Sequence, residues 1–543
     1  MRDLVAAWID DAAPNHGLVL SEQGAGATDY RSSESPSLSE RPRLEVCYVT
    51  CDDAVHNGDE TDVDCGGGCA QQCADGEGCA GAGDCQSGAC TNGVCQAPVC
   101  GDGVVSGSEA CDDGGTSDGD GCSSTCTPEE VLKVTAGASH TCALLSGGKV
   151  KCWGDNSFGQ LGLGDTYDRG DGWGEMGSSL PAVNLGAGKT AVDIAAGGFF
   201  TCALLNDGSL KCWGSNSYGQ LGLGNTQARG DGPNEMGDSL PTVSLGAGRT
   251  AVQLDLGWTH ACAVLDNGTI RCWGRNNEGQ LGIGDTVNQP GAYSAVSLGT
   301  GKVAVAVSAG DSHTCALLSD GAVKCWGGNS VGRLGLGDTQ RRGDGPGEMG
   351  DTLPAVDLGA GEAAVGIVAG SIHTCAQLTG GRLKCWGFNG YGQLGLNHTQ
   401  NIGDGPNEMG NALPLVDLGT GKLAADVVAG GYHTCALITD SSVKCWGRDN
   451  YGQLGLGDTL SRGDAPNEMG NNLPALNLGT GKTAAMITAG AEHACARLND
   501  GSAKCWGYNL EGQLGQGHTS SMGDWWSEVG NGLLTTKLFS AAW

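Results

Sequence analysis

Residues 191–250 hold one complete unit of an internal repeat and read AVDIAAGGFFTCALLNDGSLKCWGSNSYGQLGLGNTQARGDGPNEMGDSLPTVSLGAGRT. The same order of motifs returns in units that begin near Val131, Ala251, Ala304, Ala364, Ala424 and Ala484. The third unit is shorter because it lacks the GDGPNEMG-type insertion. Self-similarity at a fixed period is the signature of a repeat fold, and here seven units fill residues 131–543.

Each unit contains four short β-prone stretches separated by glycine-containing turns. In the second unit they are VDIAAG, TCALL, LKCWG and LPTVSLG. Four strands per repeat of this length predict one propeller blade, and closure of the ring protects the sheet edges. Helical repeats would need long stretches with a 3.6-residue period, which are missing from the sequence. We therefore predict an all-β fold, a seven-bladed β-propeller with four-stranded blades. The predicted blades are residues 131–190, 191–250, 251–303, 304–363, 364–423, 424–483 and 484–543.

The repeat motif resembles that of a known family. The pattern G-x-x-H-T-C-A-L, followed by K-C-W-G-x-N-x-x-G-Q-L-G, is similar to the repeat of the regulator-of-chromosome-condensation family. In the first unit it is carried by Gly137, His140, Trp153, Gly154, Asn156, Gly159, Gln160, Leu161 and Gly162. The resemblance implies a seven-bladed propeller that serves as a platform for protein partners. The family's eukaryotic founder exchanges nucleotide on a small nuclear GTPase, and a secreted bacterial relative inhibits β-lactamases by binding them. The paired cysteines and the Cys-rich preface distinguish this chain from the founder and favour the secreted bacterial type.

Fourteen cysteines lie in the repeats as Cys-x9-Cys pairs that flank a turn such as Asn206-Asp207-Gly208. A three-residue loop that ends in a left-handed glycine is a common hairpin connection. Counting outward from this loop places Cys202 opposite Cys212, at a Cα separation of about 4.5 Å, within the disulfide range. We predict a disulfide in each hairpin, and the alternative is fourteen free thiols packed as small apolar groups. The pairs are Cys142 with Cys152, Cys202 with Cys212, Cys262 with Cys272, Cys315 with Cys325, Cys375 with Cys385, Cys435 with Cys445 and Cys495 with Cys505.

The region before the repeats is predicted to have three parts. Residues 1–46 alternate like β-structure but hold too few strands for a core. They resemble the C-terminal fragment of an extracellular β-sandwich domain. Residues 47–98 and 99–130 resemble small Cys-rich extracellular modules, and their disulfide connectivity is left open by the sequence. Cys47 is left without a predicted partner, and the N-terminus shows no signal peptide. We therefore expect an N-terminally truncated form of an exported protein.

Composition indicates the compartment and excludes one class of partner. The formal net charge of −32 repels phosphate, so nucleic acid is not an expected partner. Twenty-seven cysteines at regular spacings are typical of an oxidising compartment, so we expect an extracellular or cell-surface protein. The sequence has no apolar run long enough for a transmembrane segment.

Calcium is the one cofactor that the sequence suggests. Short spacing of hard oxygen ligands in the Cys-rich region motivates it, although such acidic loops are most often solvated. The candidate ligands are Asp59, Asp62, Asp64, Asp118 and Asp120. The clustered cysteines lack the CxxC spacing of zinc fingers. Six units carry a histidine before the first cysteine, but the second has Phe200 there, which indicates packing rather than metal binding.

The sevenfold pattern breaks at tryptophans in the turn insertion. It reads GDGPNEMG in the second unit but GDGWGEMG in the first and GDWWSEVG in the seventh. Trp173 and Trp526 occupy the same repeat position, with Trp525 adjacent, and the first and seventh units become neighbours when the ring closes. We predict that the three form one solvent-accessible ligand-binding patch, since exposed tryptophan is typical of binding hot spots. The alternative is that they pack the ring closure or the Cys-rich preface.

These observations predict an exported, non-enzymatic platform whose propeller loops bind another protein. The alternative is a carbohydrate- or matrix-binding adhesin with a glycan partner, suggested by the sandwich fragment and the tryptophans. An enzyme is the third and weakest interpretation, because no catalytic set stands out from the repeat background. The fold itself decides little between these classes, since propellers host all three.

Overall fold

The computed structural model describes residues 56, 60–63, 65–67, 69–97, 99–101, 105, 109–112 and 121–539. Two compact units divide the chain, residues 1–97 and residues 98–543. No helix in the described residues is long and apolar enough to span a membrane. The predicted sandwich fragment and Cys47 lie outside the described residues.

The first unit is a small disulfide-bonded body. Its ribbon consists of β1 (Cys90–Thr91) and β2 (Val94–Cys95). Three described cysteine pairs lie at disulfide distance: Cys65–Cys73, Cys79–Cys90 and Cys85–Cys95. In the second unit, ahead of the repeats, Cys100–Cys126 and Cys111–Cys122 do the same. These sulfurs are engaged with one another, so they are not free to act as zinc ligands.

The repeats form seven three-stranded antiparallel sheets, one per repeat. In chain order the strands are β3 Val131–Ala136, β4 His140–Leu145, β5 Val150–Gly154; β6 Ala191–Ala196, β7 Phe200–Leu205, β8 Leu210–Gly214; β9 Ala251–Leu256, β10 His260–Leu265, β11 Ile270–Gly274; β12 Ala304–Ala309, β13 His313–Leu318, β14 Val323–Gly327; β15 Ala364–Ala369, β16 His373–Leu378, β17 Arg382–Gly387; β18 Ala424–Ala429, β19 His433–Ile438, β20 Val443–Gly447; β21 Ala484–Ala489, β22 His493–Leu498 and β23 Ala503–Gly507. Short 3₁₀ turns occupy Ala82–Asp84, Ser146–Gly148, Gly177–Ser179, Gly237–Ser239, Gly410–Ala412, Gly470–Asn472, Trp526–Glu528 and Gly530–Gly532. The predicted all-β class is confirmed.

The fourth strand predicted for each blade is wrong. The stretch LPTVSLG of the second repeat runs beside β8 and makes one backbone hydrogen bond there, from Val243 N to Leu210 O (2.9 Å). Five repeats have proline at the second position of this segment, and proline fixes φ near −65°, away from strand values. The third and seventh repeats have Ser294 and Leu534 instead, and in those two the segment forms an additional bridge, at Ala295 and Thr535.

Backbone hydrogen bonds join the sheets into a closed ring. Each passes between the turns that precede the central strands of neighbouring repeats, as from Ala138 N to Gly198 O (3.1 Å). The last bond runs from Ala491 N in the seventh repeat to Gly137 O in the first (3.2 Å). We describe the ring as a β-propeller with one blade per repeat.

The hairpin cysteines lie in the predicted register, each directly across the strands from its partner. All seven pairs are at disulfide distance, with Cα separations of 4.0–4.1 Å. Each disulfide therefore stays within one blade, and the contacts between blades are noncovalent. The opposed residues are Cys142 and Cys152, Cys202 and Cys212, Cys262 and Cys272, Cys315 and Cys325, Cys375 and Cys385, Cys435 and Cys445, and Cys495 and Cys505.

The residues of the family motif connect each blade to the next. Trp213 Nε1 and Thr201 Oγ1 both donate to the main-chain carbonyl of Gln160 in the preceding blade, at 3.0 and 2.9 Å. His140 Nε2 lies 2.9 Å from Thr201 Oγ1. Because the threonine hydroxyl gives its single hydrogen to the Gln160 carbonyl, it accepts from the imidazole, and Nε2 carries the hydrogen. The tryptophan bond occurs at every junction.

Five junctions have the histidine–threonine bond, each at 2.9 Å. At one of the other two, Phe200 stands in the histidine position and the next blade has Ala261 in place of threonine. At the other, His433 is retained but the next blade has Ala494, and neither imidazole nitrogen of His433 has a hydrogen-bond partner. At the first of these junctions both partners of the hydrogen bond are replaced by apolar residues. At the second only the threonine is replaced, and the histidine is left without a partner.

Candidate functional site

The three tryptophans predicted to bind ligand are exposed. Trp173 is 93% exposed, Trp525 65% and Trp526 79%, whereas the seven tryptophans of the K-C-W-G-type motif are fully buried. We call this set of three the loop tryptophans. Large apolar side chains at such exposure in a turn contribute nothing to the core of the repeats, so packing of the ring closure has no support at these positions. Packing against the Cys-rich preface stays an alternative.

A loop backbone held by a glutamate presents these side chains. In the seventh repeat, Glu528 Oε2 accepts hydrogen bonds from Gly523 N (3.2 Å) and Trp525 N (3.3 Å). Glu175 holds the first repeat's loop in the same way, through Gly170 N and Gly172 N. Partial burial, together with the hydrogen-bonded Asp524 carboxyl, raises the pKa of Glu528 to about 7.

The loop tryptophans occupy two successive junctions of the ring. The main chain at Trp173 lies against Gly517 of the seventh repeat, and that at Trp526 lies against Gly457 of the sixth. Among the described aromatic contacts, none joins Trp173 to Trp525 or Trp526. The two loops are therefore equivalent positions one blade apart, and the single patch stays a prediction.

The repeated histidines are structural, as Phe200 indicated. All six are fully buried. Burial lowers the pKa of His140 to about 4 and that of His373 to about 3, so both imidazoles are neutral at pH 7. With Nε2–H donated to the next blade's threonine at five junctions, these rings hold the propeller together.

The calcium prediction gains no support at the one candidate ligand that the structure describes. Asp62 Oδ1 accepts from Val63 N (2.7 Å) and Oδ2 from Gly78 N (2.5 Å). These backbone bonds lower the pKa of Asp62 and occupy both oxygens. Asp59, Asp64, Asp118 and Asp120 lie outside the described residues, so calcium there stays a prediction.

The structure adds a surface that sequence reasoning missed. A cavity of about 560 Å³ opens at the centre of the ring and is lined by the turn residues that precede the repeated histidines, together with residues that follow the W-G motif. We call it the axial funnel. Its lining is Ala138, Ser139, Phe199, Trp258, Arg275, Asp311, Ser371, Ile372, Gly431, Tyr432, Tyr451, Ala491, Glu492 and Tyr508. A second cavity of about 80 Å³ is lined by the ends of the first strands and the following turns of all seven repeats, mostly alanines and glycines.

Aromatic side chains from successive blades line this funnel. Phe199 makes edge-to-face contacts with Phe158 and with Trp258, at centroid separations of 5.5 and 5.6 Å. On another side, Tyr432 contacts Tyr391 at 5.5 Å. Such partly exposed aromatic side chains supply rigid contact area at low entropic cost, which suits a binding surface.

Arg275, Asp311 and Glu492 give the axial funnel its charge. Arg448 forms an ion pair with Glu492 at 2.8 Å, while Arg275 lies over the Tyr218 ring at 5.0 Å. Burial raises the pKa of Glu492, and Arg448 opposes this shift. Burial likewise raises the pKa of Asp311, against the effect of Arg333 and Arg275.

A signal for the axial funnel was present in the sequence. The two positions between the glycine and the histidine of G-x-x-H read Ala-Ser, Gly-Phe, Trp-Thr, Asp-Ser, Ser-Ile, Gly-Tyr and Ala-Glu in the seven repeats. Positions that vary inside an otherwise constant motif are not required for the structure of the blade. Their convergence on one axis is visible only once the ring is built.

Comparisons with known proteins agree with this architecture. The family profile described as "RCC1-like domain" matches residues 172–527, and that described as "Regulator of chromosome condensation (RCC1) repeat" matches residues 131–160. The ultraviolet-B receptor UVR8 of Arabidopsis thaliana is 30% identical over 398 residues, 73% of this chain and 81% of the receptor. A secretion-regulating guanine nucleotide exchange factor of Bos taurus is 30% identical over 383 residues, 67% of this chain and 75% of that protein. The solved structure of Prp20p from Saccharomyces cerevisiae has a TM-score of 0.55 at 20% identity, covering 76% of this chain and 88% of that one.

Proposed function

The chain belongs to the RCC1-like family of β-propellers, and we propose that it is an exported, non-enzymatic platform that binds another protein. Relatives support the choice of partner class. Prp20p from Saccharomyces cerevisiae, whose fold this chain shares, is described with binding properties to Gsp1p and histones. For this chain, with its net charge of −32, we propose protein rather than nucleic acid as the partner.

The exposure of the loop tryptophans is the observation that carries this proposal. Indole is unfavourable in water, and burying one such side chain in a partner contributes about 2 kcal/mol or more. Trp173 and Trp526 replace the proline of the common loop sequence, and Trp525 replaces its glycine, in just two repeats that the ring makes neighbours. A loop glutamate holds each backbone in place, so ordering either loop on binding costs little entropy.

The cysteines support export. Twelve described pairs lie at disulfide distance, five ahead of the repeats and seven within them. Such a set is maintained in an oxidising compartment, and a reducing cytosol would keep these thiols apart. We therefore propose an extracellular or cell-surface location.

Substitution of the loop tryptophans tests the proposal. The protein and its W173A and W526A variants are immobilised, exposed to culture medium, and the captured proteins are identified by mass spectrometry. We expect W526A to reduce capture of a specific protein at least tenfold, with an unchanged thermal unfolding midpoint. Tyr167→Ala is the matched control, because Tyr167 is 72% exposed in the same repeat as Trp173 but lies outside the insertion.

Other results would reject the proposal. If W526A lowers the unfolding midpoint by several degrees, the tryptophans are packing residues. If a glycan array binds the protein through the same residues and no protein is captured, the adhesin alternative is correct.

A further inference from the structure

Two junctions of the ring share an arginine stacked on a tyrosine. The position after the W-G motif is arginine in the third and sixth repeats, Arg275 and Arg448. Arg275 lies 5.0 Å from the ring centroid of Tyr218, and Arg448 lies 5.3 Å from that of Tyr391. Both tyrosines occupy the same position of the preceding repeat, so the two junctions share this contact. Arg448 also lies 5.6 Å from the ring of Tyr432 and 5.9 Å from that of Tyr451, where the third repeat has Thr259 and Glu278.

In the sixth repeat this geometry holds a carboxylate. Glu492, from the position just before the histidine of the seventh repeat, accepts from Arg448 Nη1 at 2.8 Å. Its other oxygen accepts from Gln453 Nε2 at 2.7 Å. The two oxygens of the Glu492 carboxylate, on the seventh blade, thus accept hydrogen bonds from a guanidinium and an amide that both belong to the sixth blade.

In the third repeat the same donors are present and the carboxylate is missing. Ser312 stands in the position of Glu492. Gln280, the counterpart of Gln453, is fully buried and its Nε2 has no hydrogen-bond partner, as is also the case for Gln160, Gln393 and Gln513. What sets the third repeat apart is that an unpaired arginine, Arg275, lies on the same blade. Within the part of the chain that the structure describes, no ion pair involves Arg275.

A second cation reaches the same place from the fourth blade. Arg333 replaces the glutamine found in the other six repeats and is only 6% exposed. Its Nη1 donates to Ser312 Oγ at 2.9 Å, and its Nε has no partner. Of the nearby carboxyls, Glu278 is paired with Arg341 at 2.8 Å, and Asp311 makes no described ion pair.

We propose that Arg275, Gln280 and Arg333 form a carboxylate slot that receives an aspartate or glutamate side chain of a partner protein. A buried amide donor without an acceptor and a buried guanidinium without an ion pair both carry a free-energy cost, which a carboxylate removes through charge-assisted bonds. The slot opens on the axial funnel, whose lining includes Arg275 and Asp311. It is independent of the loop tryptophans, so either proposal can fail alone.

Two experiments test the slot: binding of a peptide that contains glutamate, and substitution of Ser312 by a glutamate that occupies the slot. The probe is a fluorescein-labelled acetyl-Gly-Gly-Glu-Gly-Gly-amide, compared with its glutamine counterpart by fluorescence anisotropy. Ser312→Glu places a glutamate where Glu492 stands in the seventh repeat and should fill the slot from within. Ser139→Glu is the matched control: it makes the same change at the same repeat position, where the preceding blade offers Tyr508 in place of an arginine.

We expect the glutamate peptide to bind at least tenfold more tightly than the glutamine peptide. S312E and R275Q should each abolish that preference, and S139E should keep it. In equilibrium unfolding, S312E should raise the denaturant midpoint, and the gain should vanish in the R275Q background. The proposal is overturned if the two peptides behave alike, if S139E acts as S312E does, or if S312E lowers the midpoint equally with and without Arg275.

Discussion

The unmatched junction between the sixth and seventh blades predicts a stabilising mutation. His433 is fully buried, and its Nε2 has no partner at a junction where five others supply a threonine hydroxyl but this one has Ala494. In Ala494→Thr the new hydroxyl should accept from His433 Nε2–H and donate to the Gln453 carbonyl, which already accepts from Trp506. The change installs the pattern seen at His373, Thr434 and Gln393.

The expected increase in the free energy of unfolding follows from giving the buried His433 Nε2–H a hydrogen-bond acceptor. A buried donor left without a partner costs about 1–3 kcal/mol. The threonine contributes two hydrogen bonds and loses some side-chain entropy, so we expect A494T to raise the free energy of unfolding by about 1–2 kcal/mol. Because the equivalent site accommodates threonine at five junctions, the added atoms should fit without overpacking.

Ala261→Thr is the control that isolates the hydrogen bond. It makes the same substitution at the same repeat position, but the facing residue is Phe200, which offers no donor and shares a packed cluster with Ala261. Overpacking there should cost about 1–3 kcal/mol. Guanidinium unfolding followed by tryptophan fluorescence measures both variants. A midpoint for A494T at or below that of the unsubstituted protein, or a shift equal to that of A261T, refutes the reasoning.

Two further predictions concern pH. Burial lowers the pKa of His433 to about 4 against 6.5 in the unfolded chain, so stability falls as the pH drops between these values. His433→Phe, which creates the Phe200–Ala261 type of pair, should weaken this dependence by about 1.4 kcal/mol per pH unit, measured as unfolding midpoints from pH 7 to pH 4.5; an unchanged slope contradicts the assigned burial. Asp449 replaces the asparagine of the other repeats, and burial raises its pKa to about 8. The folded state thus holds a proton that the unfolded chain releases near pH 4, so Asp449→Asn should stabilise the protein increasingly between pH 4 and pH 8, and a pH-independent gain would show that Asp449 is ionised in the fold.

Local sequence rules predicted much of the blade. Strand identity, the hairpin turn and the Cys202–Cys212 register all depend on residues within about ten positions of each other, where counting outward from a glycine turn is sufficient. The fourth predicted strand does not form, also for a local reason: the leucine and valine of LPTVSLG favour a strand, but its proline disfavours strand dihedral angles. The buried histidines were assigned correctly because one repeat tolerates Phe200.

The axial funnel and the carboxylate slot could not be predicted in this way. The slot joins Arg275 and Gln280 of one repeat to Ser312 of the next, with Arg333 from that same fourth repeat. A repeat alignment shows which positions vary, but not which position of one blade faces which position of its neighbour. Which positions face each other depends on how neighbouring blades are rotated and shifted relative to one another in the ring. The order of residues in the sequence does not specify that arrangement. The loop tryptophans were found because they break the pattern visibly, and their exposure needed no pairing information.

The seam of the ring has a consequence for chain connectivity. The contact between the last and first blades repeats those elsewhere: Trp153 Nε1 donates to Gln513 O at 2.9 Å, as every motif tryptophan does to its neighbour. Within the described repeats no strand is exchanged across the seam and no disulfide crosses a blade boundary. The seam therefore has the same contacts as the four other junctions with a histidine–threonine bond. A circular permutant opened at the exposed turn before Ala251, with the ends of the repeat region joined by a short linker, should therefore close into the same ring. For the same reason, gene duplication can move the chain termini from one blade junction to another without changing the contacts between blades.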